Sequence, residues 1–237
     1  MKRILLICTF LLVAQHVPAQ LFSKERIKNN ENFDKAPLSW GYFLGINSYD
    51  FNFDYKENRA DIQVERTAGF SVGLIGNMRI NNNLDLRLEP GLFITKRILH
   101  YDPSYFAGLE FNDSDLTREV RSTYIHVPLL LKVSTNRVNN IKPFIVGGFS
   151  AALNLSSNEE NPEDNSVGQF RSKRSMFFYE LGVGIDLYLF WFKFTPSVRG
   201  VFAINDELVR DVDPNSPWTG NVQSMKTRGL FINFTFQ

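Results

Sequence analysis

Eight ionisable side chains recur at alternate positions of otherwise apolar segments: Asp85, Arg87, Glu89, Lys132, Glu180, Asp186, Lys193 and Arg199. Four are acidic and four are basic. Their shared chemistry is ion pairing. Charges withdrawn from water cost several kcal/mol each unless they find partners, so a balanced set of this kind is expected to pair internally. His126 falls on the same parity as Lys132. It could act as a general base, and so could His100. A base needs a nucleophile and an orienting acid within hydrogen-bond reach, and no spacing here supplies them. A hydrogen-bonded interior histidine is the simpler reading of His126. The run 158–165 is acidic and rich in turn residues, so its oxygens could hold calcium. It lacks the EF-hand spacing and its glycine, and reads as a solvated loop. Arg171, Lys173 and Arg174 follow it and could pair with it or with anionic headgroups. Gly182-Val183-Gly184 is no dinucleotide fingerprint, because no helical pattern follows. We expect no enzymatic activity, no cofactor, no metal and no small-molecule substrate. A formal charge of +1 gives no basic excess for nucleic acid.

The segments that carry these residues have a hydrophobic period of two. Leu84, Leu86, Leu88, Leu92 and Ile94 alternate with Asp85, Arg87, Glu89 and Thr95. A strand sends successive side chains to opposite faces, so this segment has one greasy face and one ionic face. The same alternation runs through 40–47, 70–80, 123–133, 145–155, 179–189, 192–204 and 230–236. With 83–95 that makes eight segments, each near the roughly 9–11 residues a tilted strand needs to cross a bilayer.

Connections fall at 51–68, 81–82, 97–120, 135–140, 156–176, near Phe190-Trp191, and at 205–227, long and short in strict turn. Outer-membrane barrels have long loops outside and short periplasmic turns. An even strand count with both termini periplasmic requires the first connection to be long, as it is. The turn near Phe190-Trp191-Phe192 lacks the Gly, Asn or Asp of a primed hairpin, but its aromatics suit a membrane-boundary girdle. Eight strands enclose room only for side chains or one small ligand. Packing Trp40, Phe70, Phe194, Phe202 and Phe234 inward would overcrowd that lumen. Facing them to lipid removes the crowding, and closure leaves no unpaired edge. The expected fold is therefore an all-β, antiparallel, eight-stranded transmembrane barrel, with the ionic set paired inside as a plug.

The N-terminus supplies the address. Lys2 and Arg3 precede an apolar run at 4–13, and Val17-Pro18-Ala19 offers a cleavage site before Gln20. This is the grammar of a secretory signal peptide over 1–19, too short to span a bilayer as a helix. Cys8, the one cysteine, lies inside it, so no disulfide is expected in the mature chain. Residues 20–39 read as a polar periplasmic lead and 40–237 as the barrel.

Asn32-Phe33-Asp34 followed by Trp40-Gly41-Tyr42-Phe43-Leu44-Gly45-Ile46-Asn47 resembles the start of the PorT family of Bacteroidetes, called SprT in gliding species. Leu88-Glu89-Pro90-Gly91-Leu92, Tyr124-Ile125-His126-Val127-Pro128, Lys142-Pro143-Phe144 and Gly182-Val183-Gly184-Ile185-Asp186 agree with it. The resemblance implies an outer-membrane component of the type IX secretion system, supporting protein secretion and, in gliding relatives, motility. It implies other components of that system as partners and brings no catalytic residues with it. A barrel this narrow passes no folded cargo, so an accessory or scaffolding role is expected. Asn32, Phe33, Asp34 and Trp40 are the candidate partner contacts in the lead. The alternatives from the residues alone are a small barrel with an adhesin or envelope-integrity role, and a lipid-modifying enzyme built on His126 or His100.

Overall fold

The computed structural model describes residues 28–160 and 170–237. The expected signal peptide and positions 161–165 of the acidic run lie outside those residues. Among the described residues no helix is long and apolar enough to cross a membrane. The strands are β1 (Leu38–Tyr55), β2 (Gln63–Arg66), β3 (Ala68–Arg79), β4 (Leu84–Leu88), β5 (Gly91–His100), β6 (Thr117–Ser134), β7 (Ile141–Asn154), β8 (Ser175–Tyr188), β9 (Lys193–Ala203) and β10 (Val222–Phe236).

Every pairing is antiparallel, and β1 pairs with both β3 and β10, which closes the sheet into a ring. The ten segments occupy eight positions around it. β2 and β3 form one strand interrupted at Thr67, and β4 and β5 form one interrupted at Glu89-Pro90. Pro90 has no N–H to give to a ladder, so the expected segment 83–95 divides there. The ladder crosses the break through the Leu74 N–H, which donates to the Pro90 carbonyl at 2.9 Å, and the Glu89 N–H, which donates to the Pro128 carbonyl at 3.2 Å.

Strands at one end of the ring outrun the segments that the alternation marks. β1 continues to Tyr55, β5 to His100, and β6 and β10 begin at Thr117 and Val222. The reason is visible on β1. Its outward residues turn from apolar (Trp40, Tyr42, Leu44, Ile46) to polar (Ser48, Asp50, Asn52, Asp54), while pairing with β10 carries on to Asp54 and Ser224. The hydrophobic signal stops where the ladder does not. The connections at this end are accordingly 56–62, 101–116, 155–174 and 204–221, against 80–83, 135–140 and 189–192 at the other. Long and short still alternate, so one end carries the long loops and the other the short turns.

The alternation sorts the faces as a barrel in lipid requires. Outward apolar side chains such as Trp40, Phe70, Leu74, Leu129, Phe149, Leu181 and Leu230 are exposed, and the ionic parity is buried. On β1 the outward apolar residues from Leu38 to Ile46 cover about 27 Å of strand at ~3.4 Å per residue. A tilt of about 40° reduces that to roughly 20 Å, close to the ~25 Å apolar band of outer-membrane barrels.

Candidate functional site

The lumen is the site that the sequence points to, and it is filled in layers. At the short-turn end the lead folds across the mouth. A 3-10 turn, Phe33–Lys35, sets Phe33 edge-on to Tyr188 with ring centres 6.4 Å apart. The Lys193 ammonium stands 4.4 Å from the centre of the Phe33 ring. The Tyr188 hydroxyl donates to Asp34 at 2.6 Å, and Arg137 stacks on the Tyr188 ring at 3.7 Å. Asn29 and Asn30 donate side-chain N–H groups to the carbonyls of Tyr188 and Leu189. Trp40, by contrast, stands outward in the apolar belt and is 72 % exposed. Of the four candidate lead contacts, Phe33 and Asp34 are therefore engaged within the chain. Asn32 begins the turn and accepts from Lys35 at 3.0 Å.

Next comes the ionic layer. Lys132 lies 2.5 Å from Asp186, which also accepts from the Thr195 hydroxyl at 2.8 Å. Asp85 and Lys193 border the same small cavity beneath the lead. Arg87 and Arg199 both pair with Glu89 at 2.9 Å, and Arg199 reaches on to Glu180 at 2.9 Å. His126 Nε2 stands 2.7 Å from Glu180. Thus all nine interior candidates (Asp85, Arg87, Glu89, His126, Lys132, Glu180, Asp186, Lys193 and Arg199) are buried in the lumen. His126 is ringed by Phe93, Phe178 and Phe231 at centre distances of 5.0, 5.6 and 5.9 Å. The other histidine, His100, is on the outer surface with Glu65 at 3.0 Å.

Above the ions lies an aromatic layer: Phe43, Tyr49, Phe93, Tyr124, Phe178 and Phe231. These sit at positions of the polar parity, so the interior is as much aromatic as ionic. Phe43 fits because Gly73 and Gly91 are bare: a Cβ on either would come within 2.5 and 2.7 Å of its ring. Close approach of a ring to backbone is what glycine permits in a strand.

A second charged group, absent from the sequence reading, follows. Arg97 is fully buried and donates to Thr227, Ser122 and Tyr124 at 2.8, 2.8 and 3.1 Å. Its guanidinium lies 3.8 Å from the Phe51 ring centre, a cation–π contact. Glu207 accepts from the Tyr124 hydroxyl at 2.7 Å and from Thr227, and stands 4.0 Å from Arg97. Strand alternation extended through 91–100 places Arg97 inward. Glu207 comes from a loop, where no period exists.

The long loops then close the other mouth. Phe51, Leu99, Tyr101, Phe106, Phe170, Leu208 and Met225 form an apolar cluster there. The Trp218 indole N–H donates to the Asp115 carbonyl at 3.1 Å, and Arg118 stacks on Trp218 at 4.5 Å. Asp211 accepts from Ser216 at 2.5 Å and pairs with Arg171 at 3.2 Å. Asp115 is held below the usual carboxylate range, chiefly by the Asn112 backbone N–H, and Asp102 by the Ser104 hydroxyl and N–H. Burial pushes the Tyr101 hydroxyl well above its ordinary value. Of the acidic run, Glu159 accepts from the Arg174 N–H at 2.7 Å. Among the described residues no group of three or more His, Cys, Asp or Glu could hold a metal ion.

This interior holds charge in place; its rings and ion pairs fill the space between the strands. Among solved structures, the chain is similar to OprG from Pseudomonas aeruginosa, with 14% identity, 84% of this chain and 93% of that one covered, and a TM-score of 0.45. It is similar to AlkL with 12% identity, 91% and 94% covered, and a TM-score of 0.42. For Neisserial surface protein A the identity is 9%, the coverage 84% and 98%, and the TM-score 0.40. No curated protein matches the chain. The family model for the outer membrane protein beta-barrel domain matches residues 19–209, most of the chain, and with its closed ring and apolar belt the protein belongs to that family of the outer membrane.

Proposed function

We propose that this barrel supports type IX protein secretion as a non-catalytic accessory or scaffold, working through contacts with other components of that system. The observation that carries the reading is the filled lumen. A barrel packed with ion pairs and rings offers no path to cargo or solute, so its surfaces and mouths are what it can contribute. The link to type IX secretion rests on the resemblance to the PorT family over the lead and the first strand. In this reading the short-turn end and both termini face the periplasm, and the long loops face outward, the arrangement usual for such barrels. The enclosed position of His126 against Glu180 supports a role without catalysis.

Deleting the gene in a cultivable host and assaying secreted cargo tests the reading. Loss of secretion, restored by the intact gene, is the expected result. Normal secretion removes it. Other secretion components should also come down with a tagged copy from detergent-solubilised outer membrane. Their absence, with secretion intact, leaves a general small barrel of adhesin or envelope-integrity type.

A further inference from the structure

Directly beyond the apolar belt at the long-loop end, outward-facing cations line one side of the barrel. On β10, Leu230 is followed outward by Arg228 and Lys226. At the break between β3 and β2, Arg66 stands opposite the inward Arg97 in the β2–β5 register, and its exposed side chain comes within 3.9 Å of the outward Asp50 of β1. Lys96 on β5 follows Ile94, and Arg121 on β6 lies just past Thr123 and Ile125. Arg66, Arg121 and Arg228 keep 62, 75 and 53 % of their side-chain surface exposed. On β7, β8 and β9 no Lys or Arg faces outward, and apolar residues (Leu153, Phe177, Phe202) continue to the strand ends.

The cations outnumber the acids beside them. Arg228 and Arg66 share Asp50, at 2.8 and 3.9 Å. Lys96 and Arg121 share Glu119, the former at 2.7 Å. The acids a step further out are engaged elsewhere, Asp54 with the Ser224 hydroxyl at 2.5 Å and Glu65 with His100 at 3.0 Å. Moreover, Lys96 and Arg121 stand directly opposite in the β5–β6 register. Like charges directly opposite across a ladder oppose its formation. Glu119 between them supplies one negative charge against two positive ones, which leaves one positive charge over.

We propose that this arc binds the phosphate-bearing headgroups of lipids in the leaflet around the long-loop end. The lipid tails would lie on the belt directly below, on Phe70, Ile94 and Leu230. The position argues for a lipid over a soluble anion: the cations border the belt at headgroup height, while the loops rise beyond them. The arc would then fix which side of the barrel faces anionic lipid.

The test places the purified protein in nanodiscs of phosphatidylcholine containing a minor fraction of phosphatidylglycerol. The lipid retained by the protein after mild extraction is identified by mass spectrometry. Wild type should retain phosphatidylglycerol about fivefold or more above its share of the bilayer, since each cation near a headgroup favours it by roughly that factor. The variant R66Q/K226Q/R228Q and the variant K96Q/R121Q should each lose most of that enrichment and keep their phosphatidylcholine. Heat-modifiable migration on gels confirms that each variant folds. K226Q alone serves if a combined variant does not. Retention at the bulk ratio by wild type, or enrichment unchanged in the variants, overturns the proposal. So does binding of inositol hexakisphosphate without lipid enrichment, which would assign the arc to a soluble polyanion.

Discussion

Glu89 is the carboxylate on which the ionic layer turns, because it pairs directly with Arg87 and shares Arg199 with Glu180. Removing it leaves Arg87 buried without its carboxylate and Arg199 with Glu180 alone. Breaking a buried pair by deleting one partner costs about 3–5 kcal/mol. Glu89→Ala should therefore lower the stability of the refolded barrel in lipid vesicles by about that much, read from urea unfolding. Adding Arg87→Met should return part of the loss, since Arg87 is the cation that loses its carboxylate, while Arg199 keeps Glu180 at 2.9 Å. No rescue at all would mean that the layer is held by packing. The charges of this layer were legible in the sequence because each sits at an even spacing among apolar residues of one strand. Arg97 and Glu207 were not. Arg97 follows Lys96 at the point where outward residues become polar, so the alternation fades just where it enters the lumen. Glu207 arrives from a loop whose path depends on contacts far away in sequence.

At the scale of elements, outward polarity conceals strands and inward anchoring hides the loops' order. The long loops read as solvated connections, yet 101–116 is pinned at both its 3-10 turns, Pro103–Phe106 and Asp113–Leu116, by carboxylates that accept backbone N–H groups. Asp102 accepts from Ser104 and Asp115 from Asn112, both at about 3 Å. Both carboxyls are held below their ordinary value, so the folded loop favours the ionised form. Their contribution is present above an unfolded value near ~3.9 and is lost as the pH falls through the lower folded values. Hydrogen-exchange protection of 101–116 should thus drop as the pH falls below about 4, while protection of β7 and β8 holds. Asp102→Ala with Asp115→Ala should show the low protection at neutral pH. An unchanged loop in that variant would place its order in Tyr105, Phe106 and Trp218 instead. The lead gives the complementary lesson. Its composition is polar and aperiodic, and nothing in it announces that Phe33 and Asp34 meet Tyr188, which lies 154 positions after Asp34.

For the whole molecule, the decisive property is that filling is distributed over the full height of the ring. The lead closes one mouth through Phe33, Asp34 and Tyr188, and the long loops close the other around Phe106 and Trp218. Between them lie the ion pairs around Glu89 and Glu180, the rings of Phe43, Phe93 and Phe231, and the Arg97–Glu207 group. A barrier built of stacked layers does not open when one is removed. In planar bilayers the wild-type protein should show no steady ionic conductance. A variant with 28–36 deleted should stay silent too, because the ionic and aromatic layers beneath remain. Hollowing the aromatic layer as well, by Phe43→Gly with Phe231→Gly, should still leave it silent, because the ion pairs, the Arg97–Glu207 group and the long-loop cluster remain. Steady channels from the lead deletion alone would show that Phe33 and Asp34 form a gate and that the layers above it are wet. The barrel would then be a transporter, and the scaffolding role would lose its physical basis.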